Sequence, residues 1–229
     1  MKMKSKNNVS KLNRNGYSLK AGALMLNPFT GFSYQIMQQE GEKVKRHYFI
    51  ALPLPDEVKQ FLQEKVELLK KQLPFQRWVH REDFHLTLAF LGDCEPDKLA
   101  ECWRDCEIAL QNERCFLLQL NEFGIFGRRD QPRIFWSAPM PEERLIMVQA
   151  AVAAACKKNN FALDERPFRP HITLARKYRD ENPFTEEKLQ SYQSMLNELP
   201  PFYVKEVALF ETRMDQEPKY AIKEQVYLK

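Results

Sequence analysis

Two short segments of this chain carry the same chemistry-bearing pattern. Phe84-His85-Leu86-Thr87-Leu88 and Pro170-His171-Ile172-Thr173-Leu174 each place a His-x-Thr-x motif in an apolar run, 86 residues apart. In a strand the side-chain period is two, so the His and Thr of each motif project from one face, while Leu86, Leu88, Ile172 and Leu174 face packing. One such copy is weak evidence, because histidine and threonine are ordinary strand residues. Two copies, in a chain whose halves follow the same order of elements, point to two imidazoles and two hydroxyls facing one cleft. That set suits displacement at a phosphodiester. One neutral imidazole takes the proton of the incoming oxygen and one protonated imidazole donates to the departing oxygen. The hydroxyls donate to the non-bridging oxygens, where negative charge concentrates. Unperturbed imidazoles titrate near pH 6.5, so both forms coexist close to neutrality.

The surrounding pattern supplies elements to hold these motifs. His47-Tyr-Phe-Ile-Ala-Leu52 reads as a strand, ended by Pro53 and Pro55. Asp56 is placed to cap a helix to about Gln72, with Val58, Phe61, Leu62, Val66 and Leu69 at helical spacing. Trp78-Val79 and Phe84–Leu91 read as strand, Glu95-Pro96-Asp97 opens a helix to about Gln111, and Phe116–Phe123 and Arg133–Ala138 flank a turn at Gly127–Asp130. In the second half, Pro141 opens a helix to about Lys158 and Phe168–Ala175 is a strand. Thr185-Glu-Glu starts a helix to about Leu196, and Phe202–Arg213 and Tyr220–Leu228 close the chain as strands. This mixed order predicts an α+β fold with antiparallel sheets, not a doubly wound parallel one.

Composition limits what such a fold serves. The 229 residues hold 35 Lys+Arg against 31 Asp+Glu, with 44% hydrophobic and 12% aromatic residues. That is enough apolar surface for a core. Residues 1–45 hold eight of the basic side chains and two of the acids, leaving 27 against 29 in the rest. The body is therefore not a basic nucleic-acid-coating surface, and an anionic substrate needs a local pocket. Residues 1–43 lack a sustained apolar period and carry four of the seven glycines. They read as a flexible extension before a domain at 44–229, with an RNA-attracting tail or an organelle presequence as functional readings. No apolar run approaches a membrane span. Five cysteines without a secretory signal indicate a reducing, cytoplasmic setting.

From the opening strand at His47 to the final Tyr-containing strand, the chain resembles the 2H phosphoesterase superfamily, and within it the RNA 2′,3′-cyclic phosphodiesterase (2′-5′ RNA ligase-like) branch. The most specific points are His85-Leu-Thr-Leu-Ala-Phe-Leu-Gly92 and Arg169-Pro-His-Ile-Thr-Leu-Ala-Arg176. The resemblance implies a bilobal α+β duplication, two mostly antiparallel sheets with flanking helices around a central cleft. It implies hydrolysis of a terminal 2′,3′-cyclic phosphate on RNA 3′ ends or nucleotides to a 2′-phosphate, by a monomer without metal or cofactor. In that reading His85 is the proton donor, His171 the proton acceptor, and Thr87 and Thr173 orient the phosphate. Arg176 is either a further phosphate ligand, through its paired donors, or half of a surface ion pair. Phe90, Phe168 and Trp136 either stack on a base or belong to the core.

Other readings stay open. Ligation or tRNA processing would use a similar pocket, and a non-catalytic nucleotide or RNA 3′-end binding module would share the fold. A zinc site is disfavoured: Cys102-x-x-x-Cys106 lies on a predicted helix, with no second pair at zinc-ribbon spacing. His47 and His80 read as strand-end or surface residues.

Overall fold

The computed structural model describes residues 46–229; the expected 1–43 extension lies outside the described residues. In chain order the strands are β1 (His47–Pro53), β2 (Phe75–Trp78), β3 (His85–Asp93), β4 (Phe116–Leu118), β5 (Leu120–Gly127), β6 (Pro132–Pro139), β7 (Ile172–Tyr178), β8 (Phe202–Val204), β9 (Glu206–Thr212) and β10 (Tyr220–Tyr227). The helices are α1 (Asp56–Leu69), α2 (Pro96–Leu110), α3 (Glu143–Lys158) and α4 (Glu186–Tyr192).

Seven strands run in the order β10-β9-β1-β3-β7-β6-β5, with β2 added on β7, and β4 pairs β8 separately. Every pairing among the described residues is antiparallel. The two wings of the large sheet meet at a single residue pair, Leu86 opposite Ile172. The sequence halves are not segregated between the wings: the C-terminal β9 and β10 complete the wing of β1 and β3, and β2 crosses to β7. Turning the chain between β5 and β6 falls to Gly127, whose φ of +104° few L side chains adopt.

Several element ends differ from expectation. Pro55, not Asp56, precedes the first turn of α1, and Asp56 contributes only its charge there. Pro141 lies before α3, which begins at Glu143 with the Glu142 carboxylate accepting from the Arg144 N–H. The run 116–123 divides into β4 and β5. Residues 168–171 are not strand, because Pro167 and Pro170 lack the N–H a ladder requires; β7 starts at Ile172. Thr185 caps α4 as its sequence predicts, accepting from the Lys188 N–H, but only to Tyr192; a 3₁₀ turn follows.

The main core lies on one face of the sheet. Val58, Leu62, Val66 and Leu69 of α1 are buried there, as are Leu99, Cys102, Trp103, Cys106 and Leu110 of α2. From α3 come Leu145, Val148, Val152 and Cys156. The strand residues Leu86, Leu88, Ile172 and Leu174 join this core, which leaves their His and Thr neighbours on the other face. A second, small apolar cluster of Phe49, Ala51, Ala208 and Phe210, with Tyr220 against it, forms apart from the main core.

Candidate active site

Antiparallel register about the Leu86–Ile172 pair sets His85 across from Thr173 and Thr87 across from His171. All four side chains are half-buried, while their intervening neighbours are buried. The two motifs thus form a diagonal set in which each histidine's position lies opposite the other motif's threonine.

The rings are oriented by the same local device. His85 Nδ1 lies 2.7 Å from the Asp83 carbonyl oxygen and His171 Nδ1 lies 2.8 Å from that of Arg169. A carbonyl only accepts, so each Nδ1 carries the proton and donates. In the neutral rings Nε2 is then the free nitrogen, able to take a proton or, once charged, to give one.

A second repeated device follows each motif. Along β3 the pairing with β1 passes from Thr87 to Ala89 while β1 advances one residue, so Leu88 is an extra residue. Along β7 the pairing with β6 passes from Thr173 to Ala175 in the same way, making Leu174 extra. Each bulge shifts the alternation by one residue. Phe90 and Arg176, each three residues after its threonine, are therefore brought to equivalent exposed positions. Phe90 is 56% exposed, with His47 edge-on at 6.0 Å, so it is not core. The positive charge of Arg176 falls on both imidazoles and on the Tyr220 hydroxyl.

Aromatic walls set the electrostatics. His85 packs against Phe49 at 4.7 Å, Tyr220 at 5.1 Å and Phe210 at 5.8 Å between ring centroids. Burial among them pushes its pKa down to about 4; the Asp83 carbonyl opposes this, and Arg176 and His171 add repulsion. His171 meets Phe126 edge-on at 4.9 Å and Trp136 at 6.5 Å. Its pKa is lowered too, by burial first and by Arg176, against the Arg169 carbonyl. The near-neutral pair expected from sequence is therefore displaced downward by desolvation.

Trp136 and Phe168, with Phe126, line a cavity of about 920 Å³ that reaches Glu142, Glu143 and Ile146 at the start of α3. Phe90 does not line that cavity, so the structure divides the three predicted aromatics. Trp136 lies flat over β5 because residue 124 is glycine: a Cβ there would come within 2.2 Å of the indole ring.

Asp83 and Tyr220 belong to no motif in the sequence yet stand at the site. Asp83 is 4% exposed, and its carboxylate accepts from the backbone N–H groups of Lys219 and Tyr220 at 3.1 and 3.0 Å. The residue whose carbonyl orients His85 thereby also anchors the start of β10, which sets Tyr220 against the same ring. Burial raises the Tyr220 pKa, so the phenol keeps its proton and remains a donor. One signal was present: Phe49-Ile-Ala-Leu52 and Val207-Ala-Leu-Phe210 are apolar at consecutive positions, as in strands buried on both faces.

Comparison with known proteins shows the family. A model of the 2′-5′ RNA ligase superfamily matches residues 54–216. The RNA 2′,3′-cyclic phosphodiesterase of Geobacillus stearothermophilus is 42% identical over 176 residues, 77% of this chain. The match spans 55% of that relative's length, so the chain covers about half of it. The Bacillus subtilis RNA 2′,3′-cyclic phosphodiesterase is 29% identical over 180 residues, covering 77% of this chain and 93% of the relative. The crystal structure of E. coli LigT in apo form aligns with a TM-score of 0.62 at 23% identity, over 81% of this chain and 98% of that one. With paired motifs, fold and family model in agreement, the chain belongs to the 2′-5′ RNA ligase superfamily.

Proposed function

We propose that the protein is an RNA 2′,3′-cyclic phosphodiesterase that hydrolyses a terminal cyclic phosphate to a 2′-phosphomonoester by two-histidine acid–base chemistry. The observation that carries this reading is the matched orientation of His85 and His171, each held through Nδ1 so that Nε2 is left for proton transfer, on strands that meet between the two motifs. The family and its cyclic-phosphodiesterase relatives support it.

His171 Nε2 takes a proton from water as the water oxygen bonds to phosphorus. The bond from phosphorus to the 3′ oxygen breaks, and His85 Nε2 gives its proton to that oxygen. Thr87 and Thr173 donate to the non-bridging oxygens. Arg176 neutralises the phosphate, and its charge on both imidazoles favours this role over a surface ion pair. The Tyr220 hydroxyl adds a donor beside it. Every role falls to a side chain, so the reading requires neither metal nor cofactor.

Burial among the aromatic walls, with the Arg176 charge, holds His85 neutral at pH 7 in the absence of substrate. A bound phosphodiester brings a negative charge between Arg176 and the ring, which favours the imidazolium. Substrate thus arms its own acid. Phe90 on one side and Trp136 with Phe168 on the other are available as stacking surfaces for bases.

The test is incubation with adenosine 2′,3′-cyclic phosphate and with cyclic-phosphate-terminated RNA in chelator, followed by chromatography of the nucleotide isomers. A dominant 2′-phosphate is expected. A dominant 3′-phosphate would reverse the assignment of acid and base, and a strict metal requirement or no turnover would overturn the reading.

A further inference from the structure

The Cys102-x-x-x-Cys106 pair, unremarkable in the sequence, gains a third member in the structure. Cys102 and Cys106 lie one turn apart on α2, and Cys156 lies on the last turn of α3, which packs against α2. The three sulfur atoms all lie within 4.8 Å of one another, with Cys102 and Cys156 Sγ at 3.7 Å. All three residues are at most 1% exposed. None of them takes part in the proposed hydrolysis.

Three features decide what such a cluster would hold. The donors are soft sulfur, which selects thiophilic centres over magnesium or calcium. They number three. Among the described residues no further His, Cys, Asp or Glu joins the group, and residues 1–45 contain no Cys or His. Tetrahedral zinc would lack a fourth protein ligand among the described residues. Finally, the site is dry, so a complex with net charge is strongly disfavoured. Zinc on three thiolates leaves one negative charge and monovalent copper leaves two. The charged neighbours offer no net compensation: the Lys98 charge that reaches Cys102 is opposed by that of Asp105, and the Lys98 ammonium itself lies over the Phe161 ring at 4.2 Å and donates to the Asn160 carbonyl. A trivalent metalloid on three thiolates is neutral.

We infer that Cys102, Cys106 and Cys156 form a three-coordinate site for trivalent arsenic of the arsenite class, which on binding fastens α2 to α3. The step balances without an oxidant. Arsenous acid, As(OH)₃, reacts with three thiols; three As–O bonds break, three As–S bonds form, and each thiol proton leaves with a hydroxyl as water. Entry requires transient separation of α2 from α3, the local opening that native proteins undergo below global unfolding.

The experiment uses the reduced full chain, mixed with one equivalent of arsenite and desalted. Expected are one retained arsenic per chain, loss of three of the five reactive thiols counted after unfolding, and a higher thermal transition. Cys156→Ala and, separately, Cys106→Ala should each lower retention at least tenfold, with thermal transitions showing that the variants remain folded. Cys94→Ser is the decisive control, because half-buried Cys94 lies near Cys102 but outside the cluster. It should bind arsenite as the parent does. Retention of all five thiols, undiminished binding by both alanine variants, or loss of binding in Cys94→Ser would each overturn the proposal. So would one-to-one retention of zinc in preference to arsenite, the signature of a four-ligand site.

Discussion

His85 and His171 share a residue pattern and an orienting bond, yet their surroundings give them different electrostatics. The Phe49, Phe210 and Tyr220 rings enclose His85, whose pKa falls to about 4, whereas His171 meets Phe126 and Trp136 and is lowered by burial and Arg176 without the repulsion His85 takes from the other imidazole. In the proposed roles, His85 as acid must be protonated and His171 as base must be neutral. With both pKa values depressed in the empty site, the kcat/KM profile should be a bell centred below pH 6.5, whose limbs belong to the coupled pair. The kcat profile, which reports the substrate complex, should extend to higher pH as the bound anion restores the imidazolium. Coincident profiles centred at pH 7 or above would refute substrate arming. His85→Ala and His171→Ala should each lower kcat/KM by about 10²–10⁴, and Thr87→Val or Thr173→Val by about 10–10³, measured as initial rates on folded variants. Tyr220→Phe keeps the ring against His85 and removes one donor; a loss of about tenfold is expected, with the pH profile little moved. Near-parent rates in that variant would leave Tyr220 only a wall.

Among the elements, the site depends on contacts that its own strands do not make. Asp83, in the 3₁₀ turn before β3, holds the N–H groups that begin β10. Asp83→Ala should cost about 1–3 kcal/mol, because the bonds its carboxylate accepts from two backbone N–H groups are lost. It should also lower kcat more than KM rises, since His85 and Tyr220 are positioned through it. Denaturant unfolding with steady-state kinetics checks both, and an unchanged midpoint would deny the clamp. On the other wing, Gly124→Ala drives a methyl into the Trp136 indole. A loss of about 1–3 kcal/mol is expected from overpacking, visible as a lower thermal transition, together with weaker binding of ligands that use the cavity Trp136 lines.

For the whole molecule, the neutral burial of His85 links stability to pH. The unfolded imidazole takes a proton below about pH 6.5, whereas the folded one resists until about pH 4. Stability is therefore held above 6.5 and falls as pH drops toward 4, by up to about 3 kcal/mol from this group. Urea midpoints at pH 7 and pH 4.5 should converge more in His85→Ala than in the parent; equal slopes would show that His85 is not desolvated as described. The sequence alone determined the α+β class, most of the elements and the two His-x-Thr faces, because strand periodicity is local and each motif carries its own alternation. Pro167 and Pro170 also bore, locally, on where β7 starts, although the apolar run around them outweighed that signal. Tertiary structure decided the rest. The Leu86–Ile172 pair that makes two motifs one site joins residues far apart in the chain. The bulges at Leu88 and Leu174 that align Phe90 with Arg176 are set by neighbouring strands. The descent of the His85 pKa comes from rings on β1, β9 and β10, and the meeting of Cys156 with Cys102 and Cys106 from the packing of α3 on α2. Each is a contact between elements, and local patterning carries information about the face an element buries but not about which partner covers it.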